Sequence, residues 1–320
     1  MRRPVRSALV VATLLGVLAP WATARAQEFP TKPIELVLPY GPGGSHDLTA
    51  RALVSVAQPY LGQPLVVALK PGGGGAIGSQ YVLKAKPDGY TLLFGGTGPN
   101  SIFALVQKAP IGPDRFTAVA RINYSPAVFA VRADAPWKSF REVIQYTRQN
   151  PGKLNFANTG TWGAADFPMR MVARATGIEY NNIPYDGGGP ALLAVLGGHA
   201  EASFQFSAQL LPHIGAGKMR ALAVSDAKRI PQLPDVPTLR EEGVDVVFTQ
   251  WRGVAAPKGT PAAVVERLEA ALRQMTQDRS FQALIQQLGD EVHFLGAREF
   301  EAAWRQEYET FAKVVAGAQK

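Results

Sequence analysis

The sequence predicts an α/β protein with two lobes, each a mostly parallel sheet flanked by helices, and a cleft between them. Short apolar runs alternate with helical patterns through the first hundred residues, an order typical of a parallel, doubly wound sheet. The 320 residues exceed one compact core of typical size, so two lobes are expected. A strand–turn–helix junction near the start of the chain is repeated near its middle, which favours two related loops facing one cleft.

The first 26 residues have the pattern of a secretory signal. Three arginines precede an uncharged run from Ala8 to Pro20, and Ala24-Arg25-Ala26 supplies the small residues of a cleavage site. We expect cleavage near Ala26 and export to a bacterial periplasm; an uncleaved anchor is the alternative. The chain has no cysteine, which excludes disulfides, thiolate chemistry and an N-terminal lipid anchor on cysteine.

The charge of the chain argues against a nucleic-acid partner. The formal net charge of +8 falls to +4 without the four arginines of residues 1–26. No basic run is interleaved with aromatic residues, as nucleic-acid binding would require. A mild positive charge is compatible with attracting small anions.

The first part of the chain shows the β-α-β-α-β order most clearly. The expected elements are a strand at 34–38, a helix from about 45 to 60, a strand at 65–68, a helix at 77–85 and a strand at 91–94. Gly72–Gly75 is not followed by Gly-Lys-Ser/Thr, so a nucleotide-binding P-loop is excluded and a flexible turn is expected.

Two extended segments are predicted to cross between the lobes. Thr117–Asn123 and Val128–Arg132 are strand-like runs separated by Ser125-Pro126, and Val244–Thr249 leads into Trp251–Pro257 as the return crossing. These crossings place residues 27–127 and 252–320 in lobe 1 and residues 128–251 in lobe 2.

The second lobe and the tail repeat the same kinds of signal. A helix at 137–150 is expected to begin with a capping box of Ser139 and Glu142 and to bury Phe140, Val143, Ile144 and Thr147. Further strands are expected at 154–157, 178–184, 200–206 and 219–225, with helices following Asp166 and at 190–196 and 209–216. The tail is predicted to be helical, with Thr260 capping one helix and an aromatic stripe from Phe300 to Val315 in the core.

Pro39–Arg51 is the feature that points most directly to function. An apolar strand ends at a glycine-rich turn and a helix follows, so the first backbone N–H groups of that helix have no intrahelical partner. Such a junction binds an anion, either carboxylate or phosphate. The junction recurs at Asn158–Asp166, with hydroxyl residues in the turn. A third turn, Gly95–Asn100, has an equal claim to a binding or a purely structural role, with Thr97 as its candidate.

Catalytic and metal chemistry find no support in the sequence. Ser45, His46 and Asp47 are consecutive, and a triad needs its base to reach the nucleophile from a separate segment. The chain has no Gly-x-Ser-x-Gly elbow, and no histidine or carboxylate spacing suggests a metal site. We therefore expect no enzyme activity, no metal and no cofactor. Asp47 has two candidate roles, a ligand contact or a helix-start residue that fixes the shape of its own loop.

A series of short motifs in a shared order resembles the extracytoplasmic receptors of the tripartite tricarboxylate transporter family, the Bug-type receptors. The matching stretches run through nearly the whole chain after residue 28: Phe29–Ile34, Pro39–Gly44 with Asp47 and Arg51, Gly75–Gly78, Lys84–Leu92, Asn150–Leu154, Ile183–Tyr185, Gly217–Val224, Leu233–Thr238, and Trp251 with Ala256-Pro257.

The resemblance implies a two-lobed periplasmic binding protein of type II-like architecture, which closes on a small organic carboxylate without catalysis. It implies that loops Tyr40–Asp47 and Thr159–Ala165 bind the carboxylate. It also implies delivery to a membrane permease or a sensor, by a protein we expect to be a monomer. The candidate ligand-binding residues are Tyr40, Gly43, Gly44, Ser45, His46, Asp47, Thr97, Thr159, Gly160, Thr161, Ala164, Tyr185 and Asp186.

This chain departs from the family pattern at His46, Trp162 and Asp186. An acid beside the cleft at Asp186 would repel a second ligand carboxylate, so the sequence favours a monocarboxylate or amino-acid-like ligand over citrate. Two other classes stay open at this point. An exported hydrolase of small esters would use Ser45, and a protein-interaction module would use the same cleft for a partner's peptide.

Overall fold

The computed structural model describes residues 29–318, which form one mixed sheet flanked by helices on both faces. The predicted signal sequence, residues 1–26, lies outside the described residues. The ten strands are β1 (Ile34–Leu38), β2 (Leu65–Leu69), β3 (Thr91–Gly96), β4 (Phe116–Arg132), β5 (Asn155–Asn158), β6 (Asn181–Pro184), β7 (Ala202–Phe206), β8 (Met219–Val224), β9 (Thr249–Pro257) and β10 (Glu291–Gly296).

The α-helices alternate with these strands along most of the chain. They are α1 (Ser45–Ser55), α2 (Ala57–Leu61), α3 (Ala76–Leu83), α4 (Ala104–Val106), α5 (Phe140–Gln149), α6 (Phe167–Thr176), α7 (Gly188–Leu196), α8 (Ser207–Gly215), α9 (Ala262–Gln277), α10 (Arg279–Gln287) and α11 (Ala297–Ala318). A π-helical turn, Gly98–Phe103, joins β3 to α4. Among these helices none is both long enough and apolar enough to cross a membrane.

The sheet is parallel in its outer parts and antiparallel in its centre. Its strands follow the order β2-β1-β3-β9-β4-β7-β5-β6, and β8 and β10 also pair with β4. β1 pairs in parallel with β2 and β3, as does β5 with β6 and β7. Every pairing of β4 or β9 is antiparallel. The α/β class is confirmed, and the sheet is mixed because these two long strands run side by side through its centre.

β4 is a single strand of 17 residues, where the sequence predicted two runs separated by Ser125-Pro126. Its first part pairs with β9 and β10, and its second part pairs with β7 and β8. Pro126 lies where the strand changes partners, opposite Thr249 at the start of β9. A proline without an N–H is tolerated there because the regular ladder is changing over at that point.

Helix α5 confirms its predicted start and its predicted buried face. Ser139 Oγ accepts a hydrogen bond from the Glu142 N–H at 3.2 Å. The Glu142 carboxylate bonds the N–H of Lys138 at 2.6 Å, one residue before the position that a capping box uses. The predicted apolar face is buried, and the Phe140 ring lies 4.8 Å from that of Phe129 on β4.

Two predictions for the tail are wrong. Thr260 does not cap α9, because its hydroxyl donates to the Pro257 carbonyl at 2.8 Å and Pro261 occupies the cap position. The tail also contains a strand, β10, which pairs antiparallel with β4. This strand is short and only half-buried, so its apolar pattern is weak in the sequence.

The aromatic stripe of α11 packs into the core, as predicted. The Trp304 ring lies 5.0 Å from Trp251 and 5.5 Å from Phe300, and all three side chains are buried. Further along the helix, the Phe311 ring lies 5.0 Å from Phe167 at the start of α6. The last helix therefore contacts both the β9 side of the molecule and the helices beside β5.

Candidate functional site

The first glycine-rich loop, Pro39–Gly44, joins the carboxyl end of β1 to the amino end of α1. Gly44 is the cap residue and Gly43 has φ of 77°, a left-handed conformation that glycine adopts without strain. Asp47 Oδ2 accepts the N–H of Gly43 at 2.9 Å, and its Oδ1 accepts Arg51 Nε at 2.9 Å. The carboxylate therefore fixes its own loop, which was one of the two roles expected for Asp47.

The second loop, Asn158–Asp166, joins β5 to α6 and is built in the same way. Gly160 and Trp162 have φ of 105° and 62°. Asp166 Oδ2 accepts the N–H of Trp162 and Arg170 Nε, both at 2.6 Å. The Arg170 guanidinium also lies 4.1 Å from the centre of the Trp162 ring. Burial raises the pKa of Asp166, and Arg170 opposes that shift.

The two loops meet at a small polar cavity of about 20 Å³. That volume admits a single water-sized group. The lining residues are Tyr40, Gly44, Ser45, His46, Thr159, Ala164, Gly188, Phe206, Gln209 and Gln250. Six of the thirteen residues that the sequence singled out are therefore brought together here: two from the first loop, two from the start of α1 and two from the second loop.

The other seven candidates lie outside this lining. Gly43 and Asp47 shape the first loop, Gly160 shapes the second, and Tyr185 is half-buried beside the cavity. Thr161 and Asp186 are exposed. Thr97 points elsewhere: its hydroxyl donates to Glu307 at 3.2 Å and accepts the Trp251 N–H at 3.0 Å.

Sequence reasoning missed four lining residues, namely Gly188, Phe206, Gln209 and Gln250. Phe206 ends β7, and Gln209 lies in the first turn of α8. This is another strand–helix junction of the kind that identified the first two loops, so the same rule could have found it. Gln250 lies on β9, and nothing in the local sequence marks it.

The glycine-rich start of α7 lies against the first glycine-rich loop. A Cβ atom added at Gly44 would lie 3.6 Å from the Gly188 N atom, and one added at Gly189 would lie 3.0 Å from the Pro42 carbonyl oxygen. One added at Gly41 would lie 3.3 Å from the Asp186 carbonyl oxygen. Glycine lets the two backbones approach this closely, so the amino ends of α1 and α7 face each other.

Burial shifts the pKa values of His46 and Tyr40 in the directions that favour their uncharged forms. Burial lowers the pKa of His46 well below its ordinary range, and the nearby charge of Arg252 lowers it further. Burial also raises the pKa of Tyr40. The two rings lie 4.9 Å apart in an edge-to-face arrangement. An anion in this cavity would therefore meet uncharged donors in front and the Arg252 guanidinium behind.

Arg252 is fully buried behind Phe206. Its guanidinium carbon lies 5.7 Å from the Phe206 ring centre, and Nη1 donates to Asp290 Oδ2 at 2.6 Å. Asp290 also accepts Ser125 Oγ at 2.6 Å and Asn123 Nδ2 at 3.1 Å. This cluster joins β4, β9 and the residue before β10, directly beneath the cavity.

Several buried polar atoms at the cavity have no hydrogen-bond partner among the described residues. They include His46 Nε2, Gln209 Nε2 and Gln250 Nε2, on side chains that are 4%, 4% and 1% exposed. Ser207 Oγ, which follows Phe206 in the chain, is also buried without a hydrogen-bond partner among the described residues. Buried polar groups are nearly always paired, so this concentration makes the cavity the candidate site for a polar ligand. Within residues 29–318 no group of three or more histidines and acids is arranged to hold a metal ion.

The chain is similar to a known protein family and to several solved structures. The family described as "Tripartite tricarboxylate transporter family receptor" matches residues 49–314. A Cupriavidus necator protein, "UPF0065 protein in gbd 5'region", is 33% identical over 302 residues, which cover 92% of this chain and 90% of the relative. The solved structure of the periplasmic binding protein BugD is 32% identical with a TM-score of 0.86, covering 91% of this chain and 99% of that one.

Two similar structures carry bound acids. Rpa4515 of R. palustris with adipate is 29% identical, with a TM-score of 0.86 and coverage of 91% of this chain and 99% of that one. MatC of Rhodopseudomonas palustris with bound malate is 28% identical, with a TM-score of 0.85 and coverage of 90% and 100%.

The fold defines a solute-binding protein of the periplasmic type, with an α/β architecture and a small cavity between glycine-rich loops. The chain belongs to the receptor family of the tripartite tricarboxylate transporters, the TctC or Bug-type receptors. The family resemblance seen in the sequence motifs is thus confirmed.

Proposed function

We propose that this protein is a receptor that binds a small carboxylate between the loops Pro39–Gly44 and Asn158–Asp166. The observation that carries the proposal is the pair of buried, unpaired amide donors, Gln209 Nε2 and Gln250 Nε2, in the cavity beside the amino ends of α1 and α7. A carboxylate offers acceptors to such donors and is favoured by the positive ends of the helix dipoles. The bound malate and adipate of two relatives support the same ligand class.

Ligand uptake would require the loops to separate. The cavity admits only a water-sized group, so an acid as large as malate needs more room than the present arrangement leaves. We propose residues 27–127 with 252–320 as one lobe and 128–251 as the other, with motion where β4 and β9 change partners near Pro126 and Thr249.

A finer proposal concerns the number of carboxylates in the ligand. The argument from Asp186 loses its premise, because that side chain is exposed and does not line the cavity. None of the ten described lining residues is Lys or Arg, so a third carboxylate would have no side-chain cation to pair with. We therefore keep the proposal that a monocarboxylate or amino-acid-like acid binds better than citrate.

Calorimetry on the protein as it is purified tests both levels of the proposal. Malate, adipate, acetate, glutamate and citrate are titrated separately, and binding of at least one acid is expected, with citrate the weakest. Tight binding of citrate with no binding of the smaller acids would overturn the finer proposal alone. The absence of heat and of a thermal shift with all five acids would overturn the receptor proposal.

The cellular location and the partners proposed for the protein are based on its family and its N-terminal sequence. We propose that the protein is exported, cut near Ala26, and delivers its ligand as a monomer to a membrane permease or a sensor, without catalysing a reaction. N-terminal sequencing of the protein from the periplasmic fraction should begin at Gln27. A start at Met1 would contradict cleavage, and turnover of small esters would contradict the absence of catalysis.

A further inference from the structure

Gln209 makes a direct hydrogen bond across the cavity to the start of α1. Its Oε1 accepts the backbone N–H of Ser45 at 3.0 Å, between residues 164 positions apart in the chain. Ser45 is the first residue of α1, and its N–H has no intrahelical partner. Gln209 lies in the first turn of α8, at the carboxyl end of β7. The bond therefore joins the first glycine-rich loop to an element from the middle of the chain.

The rest of the Gln209 amide faces the cavity. The side chain lines the cavity, is only 4% exposed, and its Nε2 has no partner among the described residues. A Cβ atom at Gly188 would lie 2.5 Å from Gln209 Oε1 and 2.7 Å from Nε2, so the amide lies against the backbone at the start of α7. Only glycine at position 188 leaves room for it.

These contacts orient the amide. Because Oε1 is held by the Ser45 N–H, the NH₂ group must point away from that N–H, and the glycine backbones on either side limit its rotation. An amide NH₂ donates two hydrogen bonds and accepts none. Its correct partner in the cavity is therefore an acceptor, such as a carboxylate oxygen, and an ammonium group would be rejected.

We propose that Gln209 is a specificity-determining residue, whose Nε2 donates to the ligand carboxylate once Ser45 has fixed the orientation of the amide. This inference rests on the proposed carboxylate-binding function. The Ser45–Gln209 bond can form only when the two elements are close together, so the donor is oriented as the loops approach each other around the ligand. Closure and recognition of an acidic group are thereby coupled through one side chain.

Gln209→Glu separates this role from a merely structural one. The new carboxylate has nearly the same size and keeps an acceptor for the Ser45 N–H, so the thermal stability without ligand should stay within about 3 °C of the wild type. It replaces the NH₂ donor by a negatively charged acceptor. Binding of malate or adipate, whichever the wild type binds, should weaken about 100-fold or more by calorimetry.

Two further variants make the test decisive. Gln80→Glu, on the exposed face of α3, adds the same charge away from the cavity and should leave the affinity unchanged. Gln209→Met keeps the length without either hydrogen bond and should weaken binding roughly 10-fold, which covers the case in which Gln209→Glu does not fold. Wild-type affinity in either position-209 variant would overturn the inference and leave the receptor function standing. Failure of the wild type to bind any of the five acids would overturn both the inference and the receptor function.

Discussion

Asp47 and Asp166 stabilise the two ligand loops by the same local contacts. Each carboxylate accepts the backbone N–H four residues before it and the arginine Nε four residues after it. Acids at helix starts are favourable for the helix dipole, and here they also close the preceding turn. Neither acid lines the cavity, so the proposed anion site can have a buried aspartate in each loop without placing a carboxylate against its ligand.

Thr159 and Thr161 provide a matched pair of residues in the second loop. Thr159 lines the cavity, and its Oγ1 accepts the Ala165 N–H at 3.3 Å, whereas Thr161 is exposed. Thr159→Val should weaken malate or adipate binding roughly 10-fold in calorimetry, because the hydroxyl is lost at constant volume. Thr161→Val should bind like the wild type. Equal losses in the two variants would contradict the placement of this loop.

Glu307 should make stability depend on pH. Burial raises its pKa from 4.5 to about 7, although it accepts hydrogen bonds from Ser101, Trp251 and Thr97. Because the folded pKa is the higher one, the folded protein binds the proton more tightly than the unfolded chain does. The stability from this group is present below about pH 4.5 and is lost as the pH rises through about 7.

Replacing Glu307 tests that dependence. Between about pH 4.5 and 7.5, the wild type should lose on the order of 1–2 kcal/mol of unfolding free energy that Glu307→Gln does not lose, after allowance for partial solvent contact. Urea unfolding at both pH values measures the difference. Glu309→Gln, exposed on the same helix, should follow the wild type. Identical pH profiles for Glu307→Gln and the wild type would refute the assignment.

At the scale of elements, β4 and β9 are the two long strands at the centre of the sheet. They run antiparallel from the pair Phe116–Pro257 to the pair Pro126–Thr249, beyond which β4 continues to Arg132. The buried cluster of Arg252, Asp290, Asn123 and Ser125 joins them where the partners of β4 change. The sequence predicted two crossing segments here, but a cluster whose residues span 167 positions of the chain cannot be seen in a local pattern.

Breaking this cluster should cost far more stability than breaking a surface pair. Asp290→Ala leaves the fully buried Arg252 without its carboxylate and should lower the unfolding free energy by about 3–5 kcal/mol. Asp134→Ala removes the partner of Arg132 on the surface, where water replaces it, and should change stability little. Chemical denaturation of the two variants provides the comparison. Similar losses of unfolding free energy would show that the buried pair contributes no more to stability than the surface pair.

At the scale of the whole molecule, the small cavity predicts that binding requires opening. Gly41 and Asp186 face each other across the cavity mouth, where a Cβ atom at Gly41 would lie 3.3 Å from the Asp186 carbonyl oxygen. The chain has no cysteine, so the double variant Gly41→Cys/Asp186→Cys would carry one defined pair of thiols. Oxidation should close the loops covalently and slow association with malate or adipate at least 10-fold, roughly the scale on which access limits binding rates.

The reduced double variant is the control for that experiment. Reduction should restore the association rate measured by stopped-flow or surface plasmon resonance, since only the cross-link has been removed. The oxidised single variant Gly41→Cys should behave like the reduced protein. Unchanged association in the cross-linked protein would mean that the ligand reaches its site without separation of these loops.

The sequence by itself determined the α/β class, the position of most strands and helices, and the two glycine-rich loops with their aspartates. These features follow from short-range physics: apolar periodicity, turn residues and helix starts are set by neighbours a few positions away. It also supplied the family resemblance, through motifs whose order runs through nearly the whole chain after residue 28. It did not distinguish Thr159 from Thr161, or show that Thr97 bonds Glu307 and that Asp186 is exposed.

Only the tertiary structure decided which side chains share the cavity. Gln209 and Gln250 come from α8 and β9, and they meet Ser45 and His46 because long-range strand pairing places those elements together. The neutral state of His46 likewise depends on burial and on Arg252, about 200 positions away in the chain. Contacts of this kind depend on how the elements pack, which local propensity does not encode, so the glycine-rich loops could be predicted and their partners could not.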